Sequence, residues 1–272
     1  MKASGDQPTG DHDAVRQQYD EAQEDGRYEE GMRRMSLYHR HCQDPVIFRA
    51  LGDVRRRSLL DLACGDGFYT RRFRAEAGAE PVMGVDLSPA QIARARAVER
   101  DEPLGIDYGV GDVTRLELDR RFEVVTAIHL LHYLESRSEI ASTLSRIHEL
   151  LTGDGHFVTM IANPEFDIEH HDPEDSKEKF GYYFSLAEPS NGGLMRFHPG
   201  GFEKERELTV EFRRWHRGFL DDVAVEAGFT PAWHDPFISD EGLATHGASF
   251  FENYLANPQS KLLRLTKLVR HP

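Results

Sequence analysis

One stretch of the chain carries most of the information about its architecture: Leu59-Leu60-Asp61-Leu62-Ala63-Cys64-Gly65-Asp66-Gly67-Phe68-Tyr69-Thr70. An apolar pattern at 58–63 predicts a short strand, and the pattern at 68–77 predicts a helix. Gly65 and Gly67 lie between the two elements. Glycine lets the backbone turn sharply and lets a ligand approach the main chain closely. The stretch therefore indicates a ligand-binding turn at the end of a buried strand.

The segments that follow alternate between strand and helix patterns. Ser88 and Pro89 suit the N-cap and first turn of a helix over 90–100. Strands that alternate with helices of roughly 10–15 residues are typical of βαβ units around a parallel sheet. We therefore predict an α/β fold with a Rossmann-like, mostly parallel sheet and helices on both faces. Its other elements are expected as strands at 81–87, 106–110, 122–128 and 156–161 and as a helix at 137–151.

The pattern changes after Asn163-Pro164. Residues 165–179 are acidic and loop-like, and glycine and proline turns separate the apolar segments beyond them. Those segments predict strands at 182–186, 194–198, 207–214 and 231–234 and a helix at 218–227. We expect residues 1–12 to be a disordered tail and residues 13–272 to form a single domain. Its parts are a helical N-terminal cap at 13–50, a cofactor-binding core at 58–162 and an antiparallel, strand-rich insertion on the substrate side at 165–215.

The composition narrows the classes of partner. The chain has 272 residues, with 33 Lys and Arg against 47 Asp and Glu, and a formal net charge of −14. Lys and Arg neutralise phosphate backbones in nucleic-acid complexes, so we expect no nucleic-acid partner. No apolar run reaches the roughly 18 residues of a membrane span, and Met1-Lys2 is followed by no apolar stretch of a signal peptide. We expect a cytoplasmic protein without a membrane partner, as a monomer or a homodimer.

The cysteines and histidines predict no metal site. Cys42 and Cys64 are too few for a cysteine-only tetrahedral site, and a disulfide is not expected in a reducing compartment. His39, His41 and Cys42 are close in sequence, but positions two apart on a helix face different directions. The run at 170–172, His-His-Asp, lies in the acidic loop.

Acidic residues follow the second and third strands, where nucleoside-binding folds place theirs. Asp86 ends the second strand about twenty residues after the glycine turn, where a carboxylate contacts ribose hydroxyls. Asp112 follows the third strand and can accept a hydrogen bond from an adenine amino group. A dinucleotide fingerprint needs a third small residue at the helix start, and Thr70 stands there. The pattern favours an adenosine site without a pyrophosphate site.

Three motifs in this order resemble those of the class I S-adenosylmethionine (SAM)-dependent methyltransferases: Asp-Leu-Ala-Cys-Gly-Asp-Gly at 61–67, Gly-Val-Asp-Leu-Ser at 84–88 and Gly-Asp-Val at 111–113. The resemblance implies SAM as cofactor and S-adenosylhomocysteine (SAH) as product. It also implies that the first motif wraps the methionine end, Asp86 holds the ribose, and Asp112 with Val113 reads the adenine. The expected cofactor-binding residues are Asp61, Ala63, Gly65, Gly67, Asp86, Leu87, Asp112, Val113, His129 beside the methionine moiety, and Tyr19 closing over the cofactor.

Three further phrases resemble the toxoflavin-synthase-type methyltransferases: Gly-Phe-Tyr-Thr-Arg at 67–71, Pro-Leu-Gly-Ile-Asp-Tyr-Gly-Val-Gly-Asp-Val at 103–113 and Gly-Leu-Ala-Thr-His-Gly-Ala-Ser-Phe-Phe at 242–251. Those enzymes act on small nitrogen heterocycles. The resemblance implies an enzyme of secondary metabolism that methylates nitrogen or oxygen of a small, heteroaromatic acceptor.

Candidate catalytic residues follow the fourth strand. Methyl transfer depends chiefly on alignment and exclusion of water, and a base is needed only when the acceptor carries a proton of high pKa. His132 and His129 are the candidates for that base, and a packing role is the alternative for His132. One or two aromatic side chains between Tyr182 and Trp215 are expected to line the acceptor pocket. The candidate substrate residues are Tyr133, Asn163, Tyr183, Phe197, His198 and Trp215.

Two other functions are compatible with this sequence. An NAD-dependent oxidoreductase would use Asp86 in the same way, although Thr70 and the missing third glycine count against it. A protein-directed or non-catalytic module on the same fold is the second. Because Gly65, Gly67 and Asp112 are also present, we predict an enzyme, a SAM-dependent methyltransferase with a small-molecule acceptor.

Overall fold

The computed structural model describes residue 17, residues 20–21, residues 26–200 and residues 208–268. The predicted disordered tail at 1–12 and the predicted cofactor residue Tyr19 lie outside the described residues. Part of the predicted N-terminal cap also lies outside them. The described part of the cap, from residue 26 onward, is helical.

The described residues form strands β1 (Leu59–Leu62), β2 (Val82–Asp86), β3 (Ile106–Val110), β4 (Phe122–Ile128), β5 (Leu151–Ala162), β6 (Tyr182–Ala187), β7 (Gly193–Pro199), β8 (Val210–Arg214), β9 (Phe229–His234) and β10 (Ser260–Lys267). Seven strands form one sheet in the order β3-β2-β1-β4-β5-β10-β9, and the other three form a second sheet in the order β6-β7-β8. Strands β1 to β5 pair in parallel, whereas β10 runs antiparallel to both β5 and β9. The second sheet is antiparallel throughout.

The α-helices are α1 (Arg27–Arg34), α2 (Ser36–Tyr38), α3 (Asp44–Leu51), α4 (Phe68–Ala75), α5 (Pro89–Asp101), α6 (Arg137–Leu150), α7 (Pro173–Phe180), α8 (Arg217–Glu226), α9 (Asp240–His246) and α10 (Glu252–Ala256). A π-helical turn, His39–Gln43, joins α2 to α3. None of the described helices is long and apolar enough to cross a membrane.

Successive residues of β1 show how the large sheet is covered on both faces. Leu59 packs into an apolar cluster with Ile47 of α3 and Phe73 of α4. Leu60 points to the opposite face, into a cluster with Leu144 of α6 and further residues of α8. Strand side chains alternate in direction, so a strand that is apolar at consecutive positions is buried on both sides. The predicted fold class, with its parallel sheet, two helical layers and antiparallel insertion, is confirmed.

The start of α5 follows the local chemistry that the sequence predicts. Ser88 is the N-cap, and its hydroxyl accepts a hydrogen bond of 3.2 Å from the backbone N–H of Gln91. Pro89 occupies the first helical position, where its missing N–H costs nothing. This cap ends β2 at Asp86 and fixes the direction in which the following chain leaves the sheet.

Several elements differ from the sequence prediction. The acidic segment predicted as a loop contains α7, because Asp172 caps it by accepting from the N–H groups of Glu174 and Asp175 and Pro173 begins it. Strand β5 begins at Leu151 rather than at the predicted residue 156, and its pairing with β4 is irregular near its start. Strand β10 was not predicted. It is inserted between β5 and β9, and that placement depends on partners distant in sequence.

The small sheet packs against the N-terminal helices rather than onto the large sheet alone. Tyr182 of β6 lies edge-on to Tyr38 of α2, with ring centroids 4.8 Å apart. Tyr254 of α10 contacts Tyr38 from another side, and all three phenol rings are buried. This third apolar cluster holds the insertion beside the carboxyl ends of the central strands.

Candidate functional site

A cavity of about 340 Å³ lies at the carboxyl ends of β1, β2 and β4. Its walls come from the turn after β1, the end of β2, the segment after β4, the small sheet, and the helical stretch from α1 to the π-helical turn. Ligands of open α/β sheets bind at this edge, where the parallel strands end. The cavity therefore occupies the position that the sequence predicts for the functional site.

The turn after β1 presents bare backbone to this cavity. Ala63 and Gly65 both line it, and both have left-handed backbone conformations, with φ of 52° and 56°. Gly67 begins α4 with φ 86°, and a Cβ atom there would overlap the hydroxyl of Tyr108. A Cβ at Gly65 would meet nothing nearer than the Oε1 atom of Gln91 at 3.9 Å. Conformation and space thus both require glycine at 67, whereas at 65 the backbone conformation and the open side toward the cavity favour it.

Asp61 lies beneath the turn and holds its elements together. Its two carboxylate oxygens accept hydrogen bonds from Thr70 Oγ1 at 2.6 Å and Thr126 Oγ1 at 2.7 Å. The side chain is only 2% exposed, and burial raises the pKa of Asp61 to about 6. The carboxyl group therefore ties β1 to α4 and β4 at the base of the cavity.

Asp86 is placed differently, at the end of β2 and facing the turn. Its Oδ2 accepts a 2.8 Å hydrogen bond from the N–H of Gly65, and its Oδ1 accepts one of the same length from the N–H of Ser88. Burial raises its pKa, and the two backbone hydrogen bonds oppose that shift. Each carboxylate oxygen has a second lone pair, so Asp86 can still accept hydrogen bonds from a ligand in the cavity.

The residues predicted for the adenine do not line this cavity. Asp112 accepts hydrogen bonds from the N–H and the hydroxyl of Thr114, and Val113 packs against the apolar cluster under α6. Both follow β3. Gly111, the residue after β3, donates a backbone hydrogen bond to the carbonyl oxygen of Asp86 at the end of β2. Leu87, which does line the cavity, is 36% exposed at its margin.

The two predicted catalytic histidines lie in the cavity wall after β4. His129 has a left-handed backbone, with φ 66°, and its ring is 5.5 Å from that of His132. His132 is 4% exposed, and its Nδ1 atom has no hydrogen-bond partner among the described residues. Burial lowers the pKa of His129 to about 4 and that of His132 well below 6.5. Both rings are therefore neutral at pH 7, and the Nδ1 atom of His132 is buried in the wall of the cavity.

The predicted substrate residues divide into those that line the cavity and those that do not. Tyr133 and Phe197 line it. Asn163 is buried. Its side-chain NH2 group donates to the carbonyl of Pro258, and its side-chain oxygen accepts from the N–H of Glu165. The remaining three, Tyr183, His198 and Trp215, do not line the cavity. The ring of Tyr183 stacks on that of His198, with centroids 4.4 Å apart, and His198 also contacts Ser185. The ring of Trp215 stacks on Phe219.

Strand alternation explains the division on the small sheet. Phe197 and His198 are neighbours on β7, so their side chains point to opposite faces. Tyr182 and Phe184 of β6 and Phe212 of β8 share the cavity face with Phe197. The cavity thus has more aromatic side chains from this segment than the one or two expected. Phe202, another aromatic residue between Tyr182 and Trp215, lies outside the described residues.

The N-terminal helices contribute a wall to the site for which only Tyr19 of the cap was predicted. Seven of its residues line the cavity: Arg27, Tyr28, Met32, Met35, Tyr38, His39 and Gln43. Five of them, Tyr28, Met32, Met35, His39 and Gln43, form a stripe along the helices. Their spacing of three or four positions is the signal of one helical face. A stripe of that kind that includes two polar side chains, His39 and Gln43, is the feature by which the wall could have been identified.

The same stretch explains why His39, His41 and Cys42 form no metal site. His39 lines the cavity, whereas His41 contacts the hydroxyl of Ser239 and Cys42 is buried in the third apolar cluster. Cys42 and Cys64 are both free thiols. Within the described ranges, no group of three or more His, Cys, Asp and Glu side chains is arranged to hold a metal ion.

Comparisons with known proteins point to one family. Residues 59–155 match the family described as a methyltransferase domain. A protein of Geobacillus sp. (strain WCH70) that carries a provisional methyltransferase name is 37% identical over 191 residues, which are 64% of this chain and 74% of that protein. A dTDP-3-amino-3,6-dideoxy-alpha-D-glucopyranose N,N-dimethyltransferase of Streptomyces fradiae is 31% identical over 119 residues, 43% of this chain and 44% of that protein.

Solved structures show the same architecture. A SAM-dependent methyltransferase from Mesorhizobium loti superposes with a TM-score of 0.57 at 22% identity, covering 81% of this chain and 95% of the other. At that identity the likeness supports the fold. The sequence relatives and the matched family support the assignment of the chain to the methyltransferases.

Proposed function

This chain belongs to the SAM-dependent methyltransferases of class I, and from that premise we propose that it methylates nitrogen or oxygen of a small, flat, heteroaromatic acceptor. One observation carries the proposal. A single cavity of about 340 Å³ joins the glycine turn after β1 to a wall of aromatic and imidazole rings. Cofactor and acceptor must meet in one enclosed space for direct transfer, and this cavity supplies that space.

The residues around the turn fit the cofactor. Gly65 leaves its backbone open toward the cavity, and Asp86 keeps lone pairs free for the ribose hydroxyls. The Oε1 atom of Gln91 is buried beside Gly65 without a hydrogen-bond partner among the described residues. We assign these groups to the methionine and ribose parts of SAM, whose sulfonium centre supplies a reactive methyl group when the cofactor is bound.

The adenine is assigned to the edge beyond the cavity. Val110 at the end of β3 is 51% exposed, and Leu87 at the end of β2 is also exposed. With Asp112 and Val113 next along the chain, they form an edge beside Asp86 that is apolar and carries one acidic side chain. A purine ring that leaves the ribose at Asp86 would cover these apolar side chains, with its amino group near Asp112.

The acceptor is assigned to the opposite wall. Phe184, Phe197 and Phe212 come from the small sheet, and Tyr133 follows β4. Flat aromatic faces bind a flat ring by stacking and edge-to-face contact, and they exclude water from the reacting atoms. The carboxylates of the lining come from β1, the turn after it and the end of β2, so the aromatic wall favours a neutral acceptor.

His132 is assigned to the acceptor's proton. When SAM is bound, transfer of its methyl group to the acceptor atom would leave the sulfur with the electron pair of the broken carbon–sulfur bond, and the acceptor's proton would pass by way of His132 to solvent. The unpartnered Nδ1 atom of His132 can accept a hydrogen bond from that N–H or O–H group. Since burial keeps the pKa of His132 well below 6.5, the ring orients the acceptor and releases any proton it receives.

The first test is a calorimetric titration with SAM, SAH and NADH. We expect SAM and SAH to bind and NADH not to bind, and we expect Asp86→Ala to abolish binding of both adenosyl compounds. Asp107→Ala is the matched control, because Asp107 is an exposed residue of β3 that pairs with Arg120 away from the cavity. Binding of NADH, or no binding of SAM, would contradict the cofactor assignment.

The acceptor is then sought by incubating the protein with SAM and a panel of nitrogen heterocycles and phenols. Product is detected by its added methyl group in mass spectrometry. With the best acceptor, we expect Phe197→Ala to raise KM about tenfold through lost ring contact, whereas His198→Ala on the opposite face leaves KM unchanged. Methylation of protein substrates, with none of the small molecules, would sink the small-molecule proposal.

A further inference from the structure

A chain of polar contacts leads from the surface of α4 to the cavity. Arg72 pairs with Asp44 Oδ2 at 2.6 Å, and Tyr69 Oη donates to Asp44 Oδ1 at 2.8 Å. Gln43 Nε2 donates to Tyr69 Oη at 2.9 Å, and Gln43 Oε1 lies 3.4 Å from His129 Nε2. Gln43 belongs to the π-helical turn, a feature that is frequent at functional sites.

The direction of every hydrogen bond in this chain follows from its outer end. Arg72 is a pure donor, so Asp44 beside it is an acceptor, and the hydroxyl of Tyr69 must donate to it. The oxygen of Tyr69 is then free only to accept, which turns the NH2 group of Gln43 toward it. The carbonyl oxygen of Gln43 consequently faces His129, and it can only accept a hydrogen bond from Nε2–H.

We propose that Asp44, acting through Tyr69 and Gln43, keeps the proton of His129 on Nε2 and leaves Nδ1 unprotonated as a hydrogen-bond acceptor in the cavity. The three residues are positioning residues, since they act through His129. Burial lowers the pKa of His129 to about 4, so at pH 7 the ring has one proton and its location is a choice between two tautomers. The backbone of His129 is also fixed, because its N–H donates to the carbonyl of Met160 at 2.9 Å.

The ligand group that such an atom takes is a hydrogen-bond donor. Two donors are available at this place if the proposed function holds: the ammonium group at the methionine end of the cofactor, and the N–H or O–H group of the methyl acceptor. The tautomer itself does not depend on the proposed function, because it is set by residues of the free protein.

A single amide substitution should reverse the whole chain. In Asp44→Asn, the side chain has one acceptor and one donor group, and Arg72 needs the acceptor. The NH2 group of the new amide then faces Tyr69, whose hydroxyl must accept from it and donate to Gln43. The amide of Gln43 turns over, its NH2 group faces His129, and the proton of His129 moves to Nδ1.

The tautomer is measured by long-range ¹H–¹⁵N NMR of the imidazole rings in the free, full-length protein at pH 7. The signals of His129 are identified by their loss in His129→Gln. We expect the Nε2–H tautomer in the unsubstituted protein and the Nδ1–H tautomer in Asp44→Asn. Tyr69→Phe, which keeps the ring but breaks the chain, should give a mixture of both tautomers.

Glu76→Gln is the matched control. Glu76 pairs with Arg72 as Asp44 does, but it makes no hydrogen bond to Tyr69. Like Asp44→Asn, this variant removes one negative charge beside the guanidinium of Arg72, and it should keep the Nε2–H tautomer. The proposal is overturned if the unsubstituted protein has Nδ1–H, if Asp44→Asn and Tyr69→Phe both retain Nε2–H, or if Glu76→Gln changes the tautomer as Asp44→Asn does.

Binding measurements then distinguish the two sources of the donor. Titration with SAH, which has the ammonium group, is compared with titration of 5′-methylthioadenosine, which lacks it. A loss of roughly tenfold in SAH affinity in Asp44→Asn, with unchanged affinity for the fragment, assigns the donor to the cofactor. Unchanged affinity for both assigns it to the methyl acceptor. If SAH does not bind the unsubstituted protein, the proposed function fails while the tautomer result stands on its own.

Discussion

The hydroxyl of Thr70 donates a hydrogen bond of 2.6 Å to the carboxylate of Asp61. Thr70 stands where a dinucleotide-binding turn has its third small residue, and Asp61 opens the motif that contains the glycine turn. The residue that departs from the dinucleotide pattern is therefore the one that holds the motif's first carboxylate. Both side chains are buried, so neither can exchange this contact for water.

Thr70→Val should destabilise the fold because it leaves one oxygen of the buried Asp61 carboxylate without a partner. We expect a loss of about 1–3 kcal/mol in the free energy of unfolding, measured by urea denaturation. Thr143→Val is the matched control, since Thr143 on α6 is equally buried but its hydroxyl has no partner among the described residues. That variant should be neutral or slightly stabilising, and equal losses in the two variants would refute the role of the hydrogen bond.

Asp61 should make stability fall as pH rises through the weakly acidic range. Its folded-state pKa is about 6, above the ordinary value of 3.8, because burial disfavours the charged form. Between these values the folded protein binds more protons than the unfolded chain, so each step up in pH costs stability. The loss attributable to Asp61 reaches about 3 kcal/mol. The test compares the unfolding free energies of the unsubstituted protein and Asp61→Asn, whose difference should fall from about pH 4 to about pH 6. A difference that does not change with pH would show that the pKa of Asp61 is not raised.

The cavity histidines should act in the opposite direction. Burial lowers the pKa of His39 to about 3 and that of His129 to about 4, so the unfolded chain takes up protons that the folded protein does not. Stability is then fully present above the ordinary value of 6.5 and is lost as pH falls toward the folded pKa. His129→Gln should reduce the slope of unfolding free energy by about 1.4 kcal/mol per pH unit in that window. A slope in His129→Gln equal to that of the unsubstituted protein would contradict the prediction.

Gly67→Ala should be far more destabilising than the same change at another left-handed glycine. Gly105 has φ 79° and open space around the position of a Cβ, so Gly105→Ala costs only the conformational strain of about 1–2 kcal/mol. Gly67→Ala has the same strain and also overlaps the buried hydroxyl of Tyr108, which adds about 1–3 kcal/mol. Thermal and urea denaturation of both variants test this, and partial rescue of Gly67→Ala by Tyr108→Phe would identify the overlap. Equal costs at the two glycines would contradict it.

The parallel core could be predicted from sequence because its signals are local. The strand at Leu59–Leu62 and the cap at Ser88 depend on apolar residues, glycines and a hydroxyl within a few positions of one another. The order of three short motifs was enough to identify the cofactor class, since each motif ends a strand and parallel strands end at one edge. Strand β10 could not be found in this way, because it pairs with β5, which lies about a hundred residues earlier in the chain.

The aromatic wall of the cavity needed the tertiary structure. Sequence composition indicated that aromatic residues of the insertion form it, but which face of each strand meets the cavity depends on register, and a shift of one residue exchanges Phe197 for His198. The contribution of Gln43 and Tyr69 also depends on the N-terminal helices being folded against α4.

By itself, then, the sequence determined the fold class, the glycine turn and the acids at the strand ends, because backbone conformation and strand termination are encoded in neighbouring residues. Only the tertiary structure decided which rings enclose the cavity and which hydrogen bonds orient His129. Those contacts join residues such as Gln43 and His129, 86 positions apart, and their geometry exists only once the core has brought them together.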